Sequence, residues 1–334
     1  MPLRKISWIG LLALVLAGCG AAARAGDPAS AKLNVVTTVA PITNLVYNIG
    51  GERIALTGIV PEGVNSHTFE PVPSDAVLLA RADLIFMNGL NLEEPTHRLA
   101  EANKQDSARI VLLGDQAITP AEYVYDFSFP RDAGSPNPHL WTSPRHARRY
   151  AELIRDALVE RDPAGRAYYE ANLDSYSARL DELDAAIART IASIPPENRK
   201  LLTYHDSWAY FAPLYGMEVV GAIQPADFSE PSAREVAALI GQVREARVPA
   251  IFGSEVFPSP VLERIGQEAG VKYVDTLRDD DLPGEPGEPR HSYLGLMVED
   301  VRIMAENLGG DPRLIADFDP SNVPGIDGAV KQAQ

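Results

Sequence analysis

Thiols, basic charge and long apolar runs are scarce in this chain. Its 334 residues include one cysteine, Cys19, which excludes an intramolecular disulfide framework and any multi-thiolate metal site. Lys and Arg number 30 against 46 Asp and Glu, a formal net charge of −16. Nucleic-acid binders carry basic surfaces, so no nucleic-acid partner is expected. The apolar run Ile9 to Val15 is too short for a good membrane-spanning helix. Six histidines are present, yet no two form HxH or HExxH, so a local metal motif and the common zinc-hydrolase signature are both missing. What is present is ordinary globular composition, at a length that suits two domains of roughly 130–150 residues.

The first residues read as an address. Arg4 and Lys5 precede the short apolar run, which ends in Leu16-Ala17-Gly18-Cys19. This resembles a bacterial lipoprotein processing box, so residues 1–18 are expected to be a signal peptide, with Cys19 the lipidation site. Cleavage removes Arg4 and Lys5 and leaves a net charge of −18. Residues 19–32 are small and polar and read as a flexible tether. The expected location is extracytoplasmic, lipid-anchored to the bacterial cell membrane, with the acyl chains supplying the attachment.

The mature chain alternates strand and helix patterns. Leu33 to Thr38, Ile54 to Val60, Leu84 to Met87 and Arg109 to Leu113 read as strands, with helices over Pro41–Ile49, Ser74–Arg81 and Leu92–Asn103. The pattern recurs with strands at Lys200–Thr203, Glu218–Val220, Ala250–Phe252 and Lys272–Val274. Helices are predicted over Trp208–Tyr215, Ser232–Ala246, Val261–Ala269 and Tyr293–Leu308. Such alternation predicts parallel sheets flanked by helices. Between the two blocks, apolar residues fall at Tyr169, Leu173, Tyr176, Leu180, Leu183, Ile187, Ile191 and Ile194. Spacings of three and four predict one helix about 38 Å long, started by Asp162-Pro163 and stopped by Pro195-Pro196. The fold class is therefore α/β, in two lobes joined by a long rigid linker helix. The expected divisions are 33–160 (N-terminal lobe), 161–196 (linker), 197–322 (C-terminal lobe) and 323–334 (tail). A helix packed along both lobes predicts small hinge motion.

Three histidines stand apart. His67, His139 and His205 lie near strand ends or in loops between strand and helix, where open α/β sheets bind ligands. Two belong to the first lobe and one to the second, so they can meet in the cleft. His97 and His146 sit beside arginines in predicted helices and read as a solvated face; His291 is undecided. A fourth ligand is expected from Asp279, Asp280 or Asp281, after the Lys272–Val274 strand. Three imidazoles and one carboxylate suit zinc. Glu70 is a candidate for orienting one imidazole. Whether Glu255 or His291 approaches the site is open.

These segments resemble the metal-binding lipoproteins of bacterial ABC importers for zinc and manganese. Gly63-x-x-x-His67-x-Phe69-Glu70-Pro71-x-Pro73-Ser74-Asp75 is similar to the family's first ligand segment, and Leu84-Ile85 through Asn88-Gly89-x-x-Leu92-Glu93 to the next. Asn137-Pro138-His139-Leu140-Trp141 resembles Asp-Pro-His-x-Trp, with asparagine replacing aspartate. His205-Asp206-Ser207-Trp208-Ala209-Tyr210-Phe211 is similar to the third. The resemblance implies metal ligands at His67, His139 and His205. It maps the fourth to Asp280, two residues before Leu282, with Asp279 and Asp281 left open. It also implies a permease and its ATPase as partners of a monomer that is not an enzyme, and zinc as cargo, with manganese or iron(II) the alternative. Residues 114–136 lack the histidine-rich loop of many zinc members, so accessory metal capture there is not expected. Manganese members tend to carry glutamate where this chain has His205. The rival classes are a lipid-anchored zinc hydrolase and an adhesin.

Overall fold

The computed structural model describes residues 32–223, 231–256, 260–323 and 331–332. The expected signal peptide and Cys19 lie outside them. β-branched Leu33–Thr37 forms β1, and helix α1 (Ala40–Gly50) follows with a proline in its first turn, where the missing N–H costs nothing. Then come β2 (Ile54–Gly58), α2 (Pro73–Leu79), β3 (Leu84–Met87), α3 (Glu94–Asn103), β4 (Arg109–Leu112), α4 (Leu113–Ala117) and α5 (Pro144–Arg161). The strands form a parallel sheet in the order β4-β3-β1-β2. β3 is buried along its whole length, which explains its unbroken apolar sequence.

Helix α6 (Arg166–Ala192) is the predicted strut, 27 residues long. Every member of the apolar stripe from Tyr169 to Ile191 is buried. A single core runs from Leu45 and Tyr150, along Leu180 and Ile187, into Tyr293 and Met297. The strut is thus cemented to both lobes, at ~1.5–3 kcal/mol for each large apolar side chain buried.

The second lobe contains β5 (Lys200–Thr203), β6 (Glu218–Ala222), α7 (Ala233–Ala246), β7 (Ala250–Ser254), α8 (Pro260–Ala269), β8 (Lys272–Leu277), α9 (Tyr293–Leu308) and α10 (Arg313–Ala316). Its parallel sheet has the order β6-β5-β7-β8, with register shifts at Leu201/Leu202 and Phe252/Ser254. The expected helix over Trp208–Tyr215 is absent; only Ala212–Tyr215 forms a 3-10 turn. Pro213 contributes no N–H to a helix, and Gly216 at φ 67° turns the chain away. In the stretch read as a tail, Lys331–Gln332 forms β9, parallel to β2 at the edge of the first sheet. Among the described residues, no helix is long and apolar enough to cross a membrane.

Candidate functional site

His67 sits in the loop after β2. The side chain of Asn65 accepts the His67 backbone N–H at 2.8 Å, folding the loop into a local turn. His139 precedes α5 and is fully buried. Asn137 Oδ1 accepts both the His139 backbone N–H and its Nδ1–H, each at 2.9 Å. That bond fixes the tautomer, so the Nε2 lone pair of His139 points the other way. Asn137 is itself held, donating through Nδ2 to Asp126 Oδ2 at 2.7 Å and to the Asp206 carbonyl at 2.5 Å. The amide serves both ways, accepting from His139 through Oδ1 and donating through Nδ2, which a carboxylate at this position could not do. His205 follows β5, its carbonyl accepting from Thr203 Oγ1 at 2.8 Å and from the Ser207 N–H at 3.1 Å.

The three rings form a near-equilateral triangle, with centroids 4.9, 5.0 and 5.2 Å apart. His139 Nε2 lies 3.0 Å from His67 Nε2 and 3.2 Å from His205 Nε2. Two imidazole nitrogens cannot both hydrogen-bond to one lone pair. Three such atoms crowded together suit a common electrophile instead. Bonds of ~2.0–2.1 Å in a tetrahedral arrangement separate ligand nitrogens by about 3.3 Å, close to both spacings. The three histidines offer ligand atoms all within 4.8 Å of one another and could hold a metal ion.

Of the three aspartates, the structure brings Asp279 to the imidazoles. Its Oδ2 is 2.8 Å from His205 Nε2 and 4.0 Å from His139 Nε2. Asp279 is 3% exposed, and the charged partner its Oδ2 meets is His205. A buried carboxylate is costly unless positive charge is set against it, and a cation among the imidazoles would supply that charge. Asp280, the residue mapped by the family motif, faces Ser66 instead. It accepts from Ser66 N–H at 3.0 Å and from Ser66 Oγ at 2.9 Å. Asp281 accepts the Gly63 N–H at 2.7 Å. Glu70 is exposed, and the imidazole of His139 is oriented by Asn137. His291 pairs with Glu62 at 3.2 Å. His146 is partly buried against the Tyr210 ring rather than on a solvated face.

Charge follows this arrangement. Burial, reinforced by the neighbouring His205, pushes His67 down to about 3, against a weaker pull from Asp279. Burial also holds His139 well below the usual imidazole range. Both rings are therefore neutral donors of electron pairs. Burial opposes charge on His205 too, but the Asp279 carboxylate overrides it and raises that group. Burial and the Asp279 charge push Asp280 up to about 7.

Sequence reasoning missed two supporting groups, Trp141 and Ser66, and left a third, Glu255, open. Trp141 Nε1 donates to the Asp279 carbonyl at 2.8 Å, joining the lobes beside the site. Ser66 holds Asp280. Glu255, after β7, accepts the backbone N–H groups of Asp279, Asp280 and Asp281 on one oxygen. Only the tryptophan had a signal, its place two residues after His139.

The profile of the family described as "Zinc-uptake complex component A periplasmic" matches residues 35–307. The chain is 30% identical over 300 residues to "Manganese-binding lipoprotein MntA" of Halalkalibacterium halodurans, covering 90% of this chain and 96% of that one. It is 32% identical over 279 residues to "Iron-binding protein YfeA" of Yersinia pestis, covering 83% and 87%. Among solved structures, the periplasmic zinc binding protein TroA from Treponema pallidum superposes with a TM-score of 0.76. It is 26% identical, over 83% of this chain and 99% of that chain.

Proposed function

We propose a capture-and-delivery role from one premise: the chain belongs to the family of periplasmic zinc-uptake complex component A. It is accordingly a metal-binding substrate-binding protein of the ABC-importer kind, and such proteins hand their ion to a permease driven by an ATPase. Our reading is that the cargo is zinc, held by His67, His139, His205 and Asp279. The observation that carries it is the crowding of three Nε2 atoms beside a buried carboxylate. Three nitrogens and one oxygen favour zinc over manganese, which prefers oxygen donors. The names of the relatives span manganese, iron and zinc, so manganese and iron(II) are the competitors to set against it.

We place Asp279 as the carboxylate ligand and Asp280 beside it as its support. Four protein ligands leave no open position for an activated water, which argues for transport over hydrolysis. The N-terminal segment fits this role, with residues 1–18 removed and Cys19 acylated, so that a monomer waits at the membrane surface. The relatives named lipoproteins are consistent with that anchoring.

Competition titration with zinc and manganese tests the assignment. His205→Ala and Asp279→Asn should each weaken zinc binding by more than the ~10–100-fold of a supporting residue, with unchanged circular dichroism. If zinc affinity survives in both variants, the ligand set is wrong. If Asp280→Asn is the variant that loses metal while Asp279→Asn keeps it, the carboxylate is misassigned.

A further inference from the structure

Glu255 has no place among the ligands, yet it touches the backbone of every aspartate in the triad. Its Oε1 receives the N–H groups of Asp279 at 3.1 Å, Asp280 at 3.1 Å and Asp281 at 3.0 Å. Successive amides converging on one anion form a nest, a rigid backbone concavity that fixes where the attached side chains point. The three side chains then diverge to three tasks. Asp279 enters the imidazole cluster, Asp280 takes both donors of Ser66, and Asp281 takes the Gly63 amide. Ser66 and Gly63 belong to the His67 loop of the opposite lobe. Glu255 itself follows the sheet irregularity at Phe252/Ser254, and its other oxygen accepts from Ser254 Oγ at 3.2 Å.

We propose that Glu255 is the positioning residue of the site. By nesting the 279–281 turn it aims Asp279 at the cation, while Asp280 and Asp281 fasten the same turn to the His67 loop. The two ligands most separated in sequence, His67 and Asp279, are thereby brought to the ion as one unit. The proposal rests on the metal-site reading above and adds a residue that never contacts the ion.

Two physical points support it. A buried oxygen that accepts three successive backbone N–H groups pins the turn that carries them, whatever its charge. An aspartate in an irregular turn has many rotamers and backbone states; without the nest, Asp279 would have to be ordered at the moment of binding.

Cobalt(II) substitution separates aiming from mere stability, because the visible d–d bands report the ligand set. Glu255→Ala should weaken zinc binding by about tenfold or more and shift the cobalt spectrum in the direction that Asp279→Asn shifts it. Glu255→Gln retains a carbonyl acceptor for the nest, and should restore the parent spectrum and most of the affinity. Ser66→Ala, a small change in the other lobe that leaves Glu255 in place, should speed zinc release measured by chelator chase while the cobalt spectrum stays that of the parent. A parent-like spectrum at full occupancy in Glu255→Ala would overturn the proposal, as would failure of Glu255→Gln to rescue. Should Glu255→Ala not fold, parent-like release from Ser66→Ala overturns it instead. Retained metal binding in His205→Ala would point to failure of the metal-site reading itself.

Discussion

The two lobes reach the same cleft by different means. In the first, β1 pairs with β2 and with β3 in unbroken register, and buried Glu93 accepts from Thr38, Asn88 and Gly89 to lock the strand ends. Asn88 in turn donates to the Pro138 carbonyl, next to His139. In the second, the sheet shifts register on both sides of its centre, and a separate small core of Leu202, Ile240, Val243 and Ile251 packs its outer half. Each lobe sets a buried or partly buried glutamate against backbone amides near the ligands. The first lobe's glutamate sits in a continuous framework; the second's holds a turn at the end of an irregular sheet. A regular half and an irregular half thus face each other across the histidine cluster.

The largest expected effect tests whether both halves are needed. His139→Ala and His205→Ala should each reduce zinc affinity by more than about a hundredfold, read by chelator competition. A large loss in one and none in the other would break the symmetry of the site. Next, Asn137→Ala should cost about tenfold in affinity, since His139 Nδ1 loses its acceptor. Hydrogen exchange sharpens the contrast between sheets. Amides of β1 and β3 should exchange only through global opening, whereas those of β6 and β7 should exchange sooner. Equal protection would mean that the shifts in register carry no cost. Ile187→Ala, in the core shared by both lobes, should destabilise the whole protein by ~2–5 kcal/mol, seen as a lower thermal midpoint.

The smallest effect concerns the join between strut and first lobe. Arg53 binds Asp162 through Nε at 2.8 Å and a terminal nitrogen at 2.7 Å, and Tyr169 donates to the same oxygen at 2.8 Å. Burial alone would raise Asp162, but these donors hold it below the usual carboxylate value. A depressed pKa gives stability that is present above about pH 4 and lost as pH falls through the folded-state value. Asp162→Asn should therefore lower the urea midpoint at pH 7, and the gap to the parent should shrink as pH falls below about 4.

Much of this was legible beforehand. The strut followed from spacings of three and four, because a long amphipathic stripe has few alternative readings. The histidines followed from motif segments at strand ends. The carboxylate did not. Asp279, Asp280 and Asp281 are chemically identical, so sequence alone cannot say which of them the backbone turns toward the imidazoles. The missing helix at Trp208 is a local failure: the apolar residues are there, but Pro213 and Gly216 end the regular backbone. The β9 strand was invisible because two residues show no periodicity; its pairing with β2 is wholly tertiary.

The unbroken core along α6 has a consequence for whatever docks on this protein. A body that is cemented from end to end presents nearly the same silhouette full and empty, so small-angle scattering should barely distinguish the two. The difference a docking partner can sense is electrical and local. A divalent ion in the site would add two positive charges beneath the 62–67 and 279–291 loops, among the buried Asp279, Asp280 and Asp281.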